Sequence, residues 1–446
     1  MKILSQGIFA ILLGLAIWFF LKNVRRIWGN IQLGKPFDRS DNKNERLRQM
    51  LLVAFGQKKM FKRPIPALLH LFVYVGFLLV NIELLEIVLD GILGTHRLFK
   101  PLLGDFYTFL INFFEFFAVA VIISCALFLI RRNILKIERF HKPEMSKWPT
   151  LDANLILVLE IVLMFFLLSM NATDKLIVEK SWISPFGGRP NWMDSTFFFS
   201  SFLIPVYKNF SLETLHILER FFWWAHILGV FFFANYVLYS KHLHIFLAFP
   251  NTYFSNLNPK GKIENMDAVT NEVKFALGLA QPDPNNPPAE ISRFGAKDVV
   301  DLSQKSLLDA YSCTECGRCT SQCPANLTGK ALSPRAIMMA TRDRVEDLGA
   351  YKKTNGADSL DDKTLLGDYI TEEEIFACTS CNACTEACPI NIDPLSIILE
   401  LKRYKVMEEA QGPQEWNMMY QNIETSFSPW KFSPNDRGNW TADLNK

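Results

Sequence analysis

Five long apolar runs shape the first half of the chain. Near 3–22, 66–90, 106–130, 151–170 and 214–245, apolar residues continue for about as long as a bilayer-crossing helix, roughly 20 residues, with charged segments between them. Past Pro250 the apolar residues scatter among charged ones, as in a water-soluble domain. The pattern predicts an all-α integral membrane domain of five transmembrane helices over 1–248, a linker with an amphipathic helix over 249–300, a mainly helical domain over 301–410 and a tail over 411–446.

Charge gives the membrane domain a direction. Lys22, Arg25, Arg26, Lys35, Arg39 and Lys43 open a segment, running to Arg63, in which bases far outnumber acids. The positive-inside rule puts that segment in the cytoplasm and the N-terminus outside. The loop "RRNILKIERFHKPEMSKW" is basic as well and falls inside, whereas 171–211 falls outside. An odd number of spans then puts everything after Pro250 in the cytoplasm. The charges of the first run follow its apolar stretch and no small-residue cleavage site is evident, so it reads as a retained anchor and not a signal peptide. A net charge of +2 over 446 residues leaves no basic footprint for nucleic acid.

Cysteine changes the picture. Eight of the nine cysteines lie in "CTECGRCTSQCP", from Cys313, and "CTSCNACTEACP", from Cys378, with Cys125 alone in an apolar run, where it reads as a small buried hydrophobe. Disulfide frameworks scatter their cysteines through loops; this clustering points to metal in a reducing compartment. Each stretch has the form C-x2-C-x2-C-x3-C-P, which wraps one [4Fe–4S] cluster with three thiolates and sends the fourth to another. By that rule Cys313, Cys316, Cys319 and Cys388 hold one cluster, and Cys378, Cys381, Cys384 and Cys323 the second. Structural zinc is the alternative, but zinc sites separate two ligand pairs by a long loop, and four cysteines this tight, twice, do not fit it.

The stretches also align beyond their cysteines, pairing Thr314 with Thr379 and Thr320 with Thr385, so they are an internal duplication. Between them 325–377 reads as an insertion, in which "SPRAIMMATRDRVEDLG" has helical spacing and a final Gly. Thr371 followed by Glu374 predicts a capping box for the helix leading into Cys378. The domain is therefore expected to be mainly helical, with its clusters held at helix ends.

Histidines and acids in the apolar runs are the remaining candidates. If the fifth run is one helix, His226 and His244 are eighteen residues apart on one face, about 27 Å along the axis, as for two redox sites on opposite sides of a bilayer. His70 begins the second run at the level of His244, or of His242 if that helix frays, and two neutral imidazoles there would hold a haem iron. For His226 the remaining candidate partners are His96 and His216. Histidines at helix ends often sit only in the headgroup zone, a reading open for His216, His242 and His141; a histidine in mid-membrane is more often functional. Glu83, Glu86, Glu115 and Glu160 could carry protons to or from a quinone; interhelical hydrogen bonding is the competing reading, as is pairing with Arg220 for Glu219.

Five spans with an outside N-terminus and histidines in the second and fifth resemble the cytochrome b subunit of respiratory nitrate reductase over roughly the first 250 residues. A second histidine of that family's second helix is missing. The rest is similar to the ferredoxin half of iron–sulfur oxidoreductases related to heterodisulfide reductase and to the anaerobic glycerol-3-phosphate dehydrogenase subunit, including "IETSFSPWKFSPNDRGNW". In those families cysteine-rich domains with adjacent cysteine pairs follow. This chain has no such pair, so the resemblance implies that a separate cysteine-rich-domain iron–sulfur subunit supplies that part. Fused proteins of this plan resemble oxidoreductases linking electron-transfer flavoprotein to menaquinone, which implies a bacterial cytoplasmic membrane.

The expected function is that of a membrane electron-transfer subunit of a quinone oxidoreductase, carrying two [4Fe–4S] clusters and haem b, one or two, with menaquinone or another quinone as substrate. No Gly-rich dinucleotide fingerprint follows a strand pattern, so no flavin or nicotinamide is expected on this chain. The alternative is an iron–sulfur membrane anchor and docking subunit without haem or quinone chemistry. Trp416, Trp430 and Trp440 in a polar tail fit docking under either reading. A transporter would need a discontinuous or repeated membrane half, and neither is evident.

Overall fold

The computed structural model describes residues 2–181, 197–281 and 293–444; among them the chain is helix and turn, with β pairing limited to isolated bridges. The five apolar runs become α1 (Lys2–Ile31), α2 (Pro64–Leu93), α3 (Asp105–Leu129), α4 (Trp148–Ser181) and α5 (Leu212–Val237). All five are long and apolar enough to cross a membrane. Each packs on its neighbour in sequence and α5 returns to α1, closing a ring. The outward faces carry exposed Ile11, Trp18, Leu85, Phe109, Phe165 and Phe221, as lipid requires.

Three helices outrun their apolar windows or fall short of them, each for a local reason. α1 continues through its basic stretch, where Lys and Arg are good helix formers, and buries Ile27 and Ile31 in the second half of the chain. α4 continues past the expected boundary at Asn171 to Ser181 because its polar residues are paired. Arg97, in the loop after α2, donates to Asp174 at 2.8 Å and to Asn171 at 2.8 Å. Of the expected outside segment, 182–196 lies outside the described residues.

α5 departs from the single helix expected over 214–245. It ends at Val237; Ser240 is extended (φ −103°, ψ 158°), and its hydroxyl accepts from the His242 amide at 3.2 Å. A fresh helix, α6 (His244–Tyr253), starts beyond it. His226 and His244 therefore do not share one helical face, and the 27 Å spacing drawn from that assumption does not hold.

The second half is built from α7 (Gln304–Ser312), α8 (Pro334–Asn355), α9 (Glu372–Phe376), α10 (Ala383–Ala387), α11 (Pro394–Arg403) and α12 (Gln414–Ser426). The expected capping box forms on α9: the Glu374 amide donates to Thr371 Oγ1 at 3.3 Å and the Thr371 amide to Glu374 Oε2 at 2.8 Å. α8 does not stop at Gly349. That glycine is needed for close approach instead, since a Cβ there would lie 2.1 Å from Asn30 Oδ1 of α1. Asn30 in turn donates to Tyr311 of α7 at 2.8 Å.

One apolar core crosses the boundary expected at 248. Ile27, Ile31, Ala54, Leu238, Leu243 and Ala248 pack in the same cluster as the interior of α7, α8 and α11. The ends of the membrane helices are thus part of the foundation on which the cysteine stretches stand.

Candidate redox centre

The two cysteine stretches fold as copies. In each C-x-x-C turn the residue before the second cysteine and the residue after it have positive φ: Glu315 (54°) and Gly317 (69°) in the first, Ser380 (55°) and Asn382 (60°) in the second. The shared threonines have a shared task. Thr320 bonds to Ser333 at 2.9 Å and Thr385 donates to Asp393 at 3.1 Å, and these partners are the N-caps of α8 and α11, each followed by proline. The repeated unit is therefore larger than the cysteine motif and includes the helix after it. "SPRAI" against "DPLSI" is the sequence signal, and reading 325–377 as a plain insertion misses it.

One small cleft is lined by Cys323, Cys378, Cys381 and Cys384 together with Leu332, Leu395 and Ile398. Cys319 feels the charges of Cys313, Cys316 and Cys388, and also that of Cys384, so the two sets adjoin.

Their chemistry fits an iron–sulfur cluster. Burial pushes the Cys313 thiol up to about 11 and those of Cys384 and Cys388 up to about 12, so the thiolate form needs cationic iron beside it. Backbone amides already aim at sulfur: Ile392 donates to Cys388 Sγ at 3.3 Å and Ser380 to Cys378 Sγ at 3.4 Å. Each set has two buried cysteines, Cys313 and Cys388 in one and Cys323 and Cys384 in the other, and among the eight Cys381 alone is exposed.

The first set abuts the membrane domain. Arg318, between Cys316 and Cys319, donates to the carbonyl of Lys59 at 3.2 Å, and Arg63 donates to Ser321 at 3.1 Å; both partners lie on the approach to α2. Nearly two turns into α2 is His70, whose ring centroid is 6.3 Å from that of His244. Two imidazoles on opposite sides of one metal ion, each bonded at about 2 Å, put their centroids about 6 Å apart. Each Nδ1 is engaged, His70 with Gln57 Oε1 at 3.1 Å and His244 with the Lys241 carbonyl at 3.1 Å, leaving both Nε2 atoms free. Burial pushes His244 and His242 below the ordinary imidazole value, so both are neutral. His242 lies 5.8 Å from His244, with its Nδ1 against Ser240.

His226 is not joined by its expected partners. It is buried, with Nδ1 at 3.0 Å from the Leu163 carbonyl, whereas His96 bonds Asp174 eleven residues further along α4, about 16 Å away along the axis. His216 is exposed. The acids separate too. Glu86 accepts from Tyr107 at 2.9 Å, Glu115 from Asn171 at 3.1 Å, and Glu219 pairs with Arg220, all of which are structural bonds. Glu160 is half-buried near Cys125. Glu83 is buried, and neither of its oxygens has a hydrogen-bond partner.

Comparison with known proteins agrees with this site. Residues 312–392 match the family described as a 4Fe-4S dicluster domain. This is a membrane-anchored iron–sulfur protein with two [4Fe–4S] clusters. The chain is 29% identical to the probable iron-sulfur-binding oxidoreductase FadF of Bacillus subtilis, over 97% of this chain and 60% of that protein. It is 27% identical to the EtfAB:quinone oxidoreductase of Syntrophomonas wolfei, over 90% of this chain and 54% of that one. The chain thus spans little more than half the length of these relatives. The dicluster region alone is 31% identical to one of the subunits of a CoB-CoM heterodisulfide reductase of Methanosarcina acetivorans, over 27% of this chain and 60% of that protein. No solved structure matches the chain.

Proposed function

We propose that this chain is the membrane electron-transfer subunit of a quinone oxidoreductase, conducting electrons between a cytoplasmic redox partner and quinone in the bilayer. The observation that carries the reading is the order of the sites. An exposed thiol stands at one end of the cysteine array, and the other end abuts a facing histidine pair at the mouth of the membrane domain.

In this reading Cys378, Cys381, Cys384 and Cys323 hold the partner-facing cluster, Cys313, Cys316, Cys319 and Cys388 hold the membrane-facing one, and His70 and His244 hold haem b. When bound, these groups supply reversible one-electron chemistry. The protein's own residues keep the thiolates dry, aim amides at sulfur and fix both imidazoles through Nδ1. The basic segment after α1 supports a cytoplasmic location for the dicluster domain. The relative named for EtfAB and quinone supports electron-transfer flavoprotein as the ultimate partner and a quinone as the substrate. A separate cysteine-rich iron–sulfur subunit is the proposed cytoplasmic partner beside it. Glu83, a carboxyl buried without a partner in α2, is the proposed proton-exchanging group for quinone chemistry.

The test is a reduced-minus-oxidised visible spectrum of the purified chain, with iron and haem measured per polypeptide. A b-type band abolished by His70→Ala or His244→Ala supports the reading. A spectrum with iron–sulfur bleaching alone overturns the haem assignment.

A further inference from the structure

The two cysteine turns have the same backbone but differ in charge at one position. Ser380 occupies in the second copy the left-handed site that Glu315 occupies in the first. A carboxylate is therefore not needed for the turn, and a glutamate at φ 54° is a poorer fit to it than glycine or asparagine. Glu315 is nevertheless buried inside the Cys313–Cys316 loop. Its Oε2 accepts from the ammonium of Lys241, and its Oε1 accepts from Arg342 Nη2 at 2.6 Å.

Lys241 stands where α5 has ended and α6 begins, and it too is buried. Its amide donates to Asp152 Oδ2 at 3.3 Å at the start of α4, and Asp152 Oδ1 accepts from Tyr236 at 2.6 Å. Its carbonyl is the acceptor for His244 Nδ1. A single residue thus touches the cysteine loop with its side chain and the histidine pair with its backbone. Replacing both members of a buried ion pair with apolar groups often costs little, so a pair kept at this junction calls for a role beyond stability.

We propose that Lys241 is a positioning residue of the redox centre: through Glu315 it sets the charge beside the Cys313–Cys316 loop, and through its carbonyl it aims His244. The inference rests on the function proposed above. In the wild type, the ammonium and the Arg342 guanidinium both offset the Glu315 carboxylate close to the membrane-facing thiolates. Taking away Lys241 leaves more negative charge there and disfavours the reduced cluster, while taking away the Glu315 charge favours it. The matching position in the second stretch is Ser380, and the ion pairs that stretch does carry, Glu386 with Lys62 and Lys260, are exposed.

The experiment is an EPR-monitored redox titration of the full-length chain in detergent. Lys241→Met lowers the potential of one iron–sulfur couple, with at least a tenfold change in the oxidised-to-reduced ratio, about 59 mV for one electron. Glu315→Gln raises the same couple, the double variant returns toward wild type, Lys241→Arg stays near it, and the second couple does not move. Shifts of the same sign in both variants, or no shift, overturn the proposal and leave the pair as a docking bond alone. Should Lys241→Met fail to assemble clusters, Glu315→Gln carries the sign test by itself. A wild-type chain with no [4Fe–4S] signal would instead overturn the proposed function.

Discussion

Gly349→Ala separates two physical arguments that predict opposite signs. In a helix interior Ala is favoured over Gly by about 1 kcal/mol, so propensity alone makes the substitution stabilising. The packing argues the reverse, because the new methyl would stand 2.1 Å from Asn30 Oδ1, with the rest of that amide also within 3.0 Å. Asn30 is buried and cannot simply swing into solvent. Relieving such an overlap costs about 1–3 kcal/mol. Moving Asn30 also strains its 2.8 Å bond to Tyr311, worth about 1 kcal/mol. The net is destabilisation by about 1–3 kcal/mol, concentrated where α1 meets α8. Thermal bleaching of the visible iron–sulfur absorption in detergent reads it as a midpoint lowered by several degrees. Asn30→Ala removes the obstructing amide, so Gly349→Ala on that background costs nothing further and recovers the propensity gain. A midpoint that rises for Gly349→Ala alone refutes the close-approach argument.

Four more outcomes follow from the site. The proposed crossover, in which each fourth cysteine serves the other copy's cluster, makes Cys388→Ser give the same EPR change as Cys316→Ser, and Cys323→Ser the same as Cys381→Ser; identical loss patterns for Cys388 and Cys381 contradict it. His216→Ala and His141→Ala leave any b-type band intact, while His70→Ala removes it, as read in the reduced spectrum. Glu83→Leu leaves folding stability unchanged or higher, since it deletes an unpartnered buried carboxyl, yet slows quinone-linked turnover at least tenfold; equal turnover rules Glu83 out as a proton carrier. Burial works to raise the Glu144 carboxyl, but Arg335 and Ser333 outweigh it and hold it below the ordinary value of 4.5. Its contribution to anchoring α8 is therefore fully present above about 4.5 and fades as pH falls through the lower folded value, a dependence that Glu144→Gln removes from acid-unfolding curves.

Much of this was legible in the sequence because the signals were periodic or local. Apolar length found five spans, cysteine spacing found the dicluster turns, and Thr371 with Glu374 found a cap. The sequence failed where partners come from far along the chain. Asn171 and Asp174 read as the start of a loop, but Arg97 pairs with both and keeps α4 helical. Gly349 read as a helix stop, whereas its role is set by Asn30, more than three hundred residues earlier. His244 read as part of α5, although Ser240 caps a new turn and redirects it toward His70. Lys241, Glu315 and Arg318 carried no local signature at all, since each acts through a contact across the two halves of the chain.

The unequal walls around the two cysteine sets bear on how the protein ages in air. Cys381 meets solvent directly, while the other seven cysteines of the two stretches are buried or half-buried, Cys323 and Cys384 of its own set included. An opening that admits a redox partner also admits dioxygen and peroxide. Aerobic damage is thus directed first to the cluster on the Cys381 side, leaving a half-loaded protein. Anaerobic handling matters most for that one corner of the molecule.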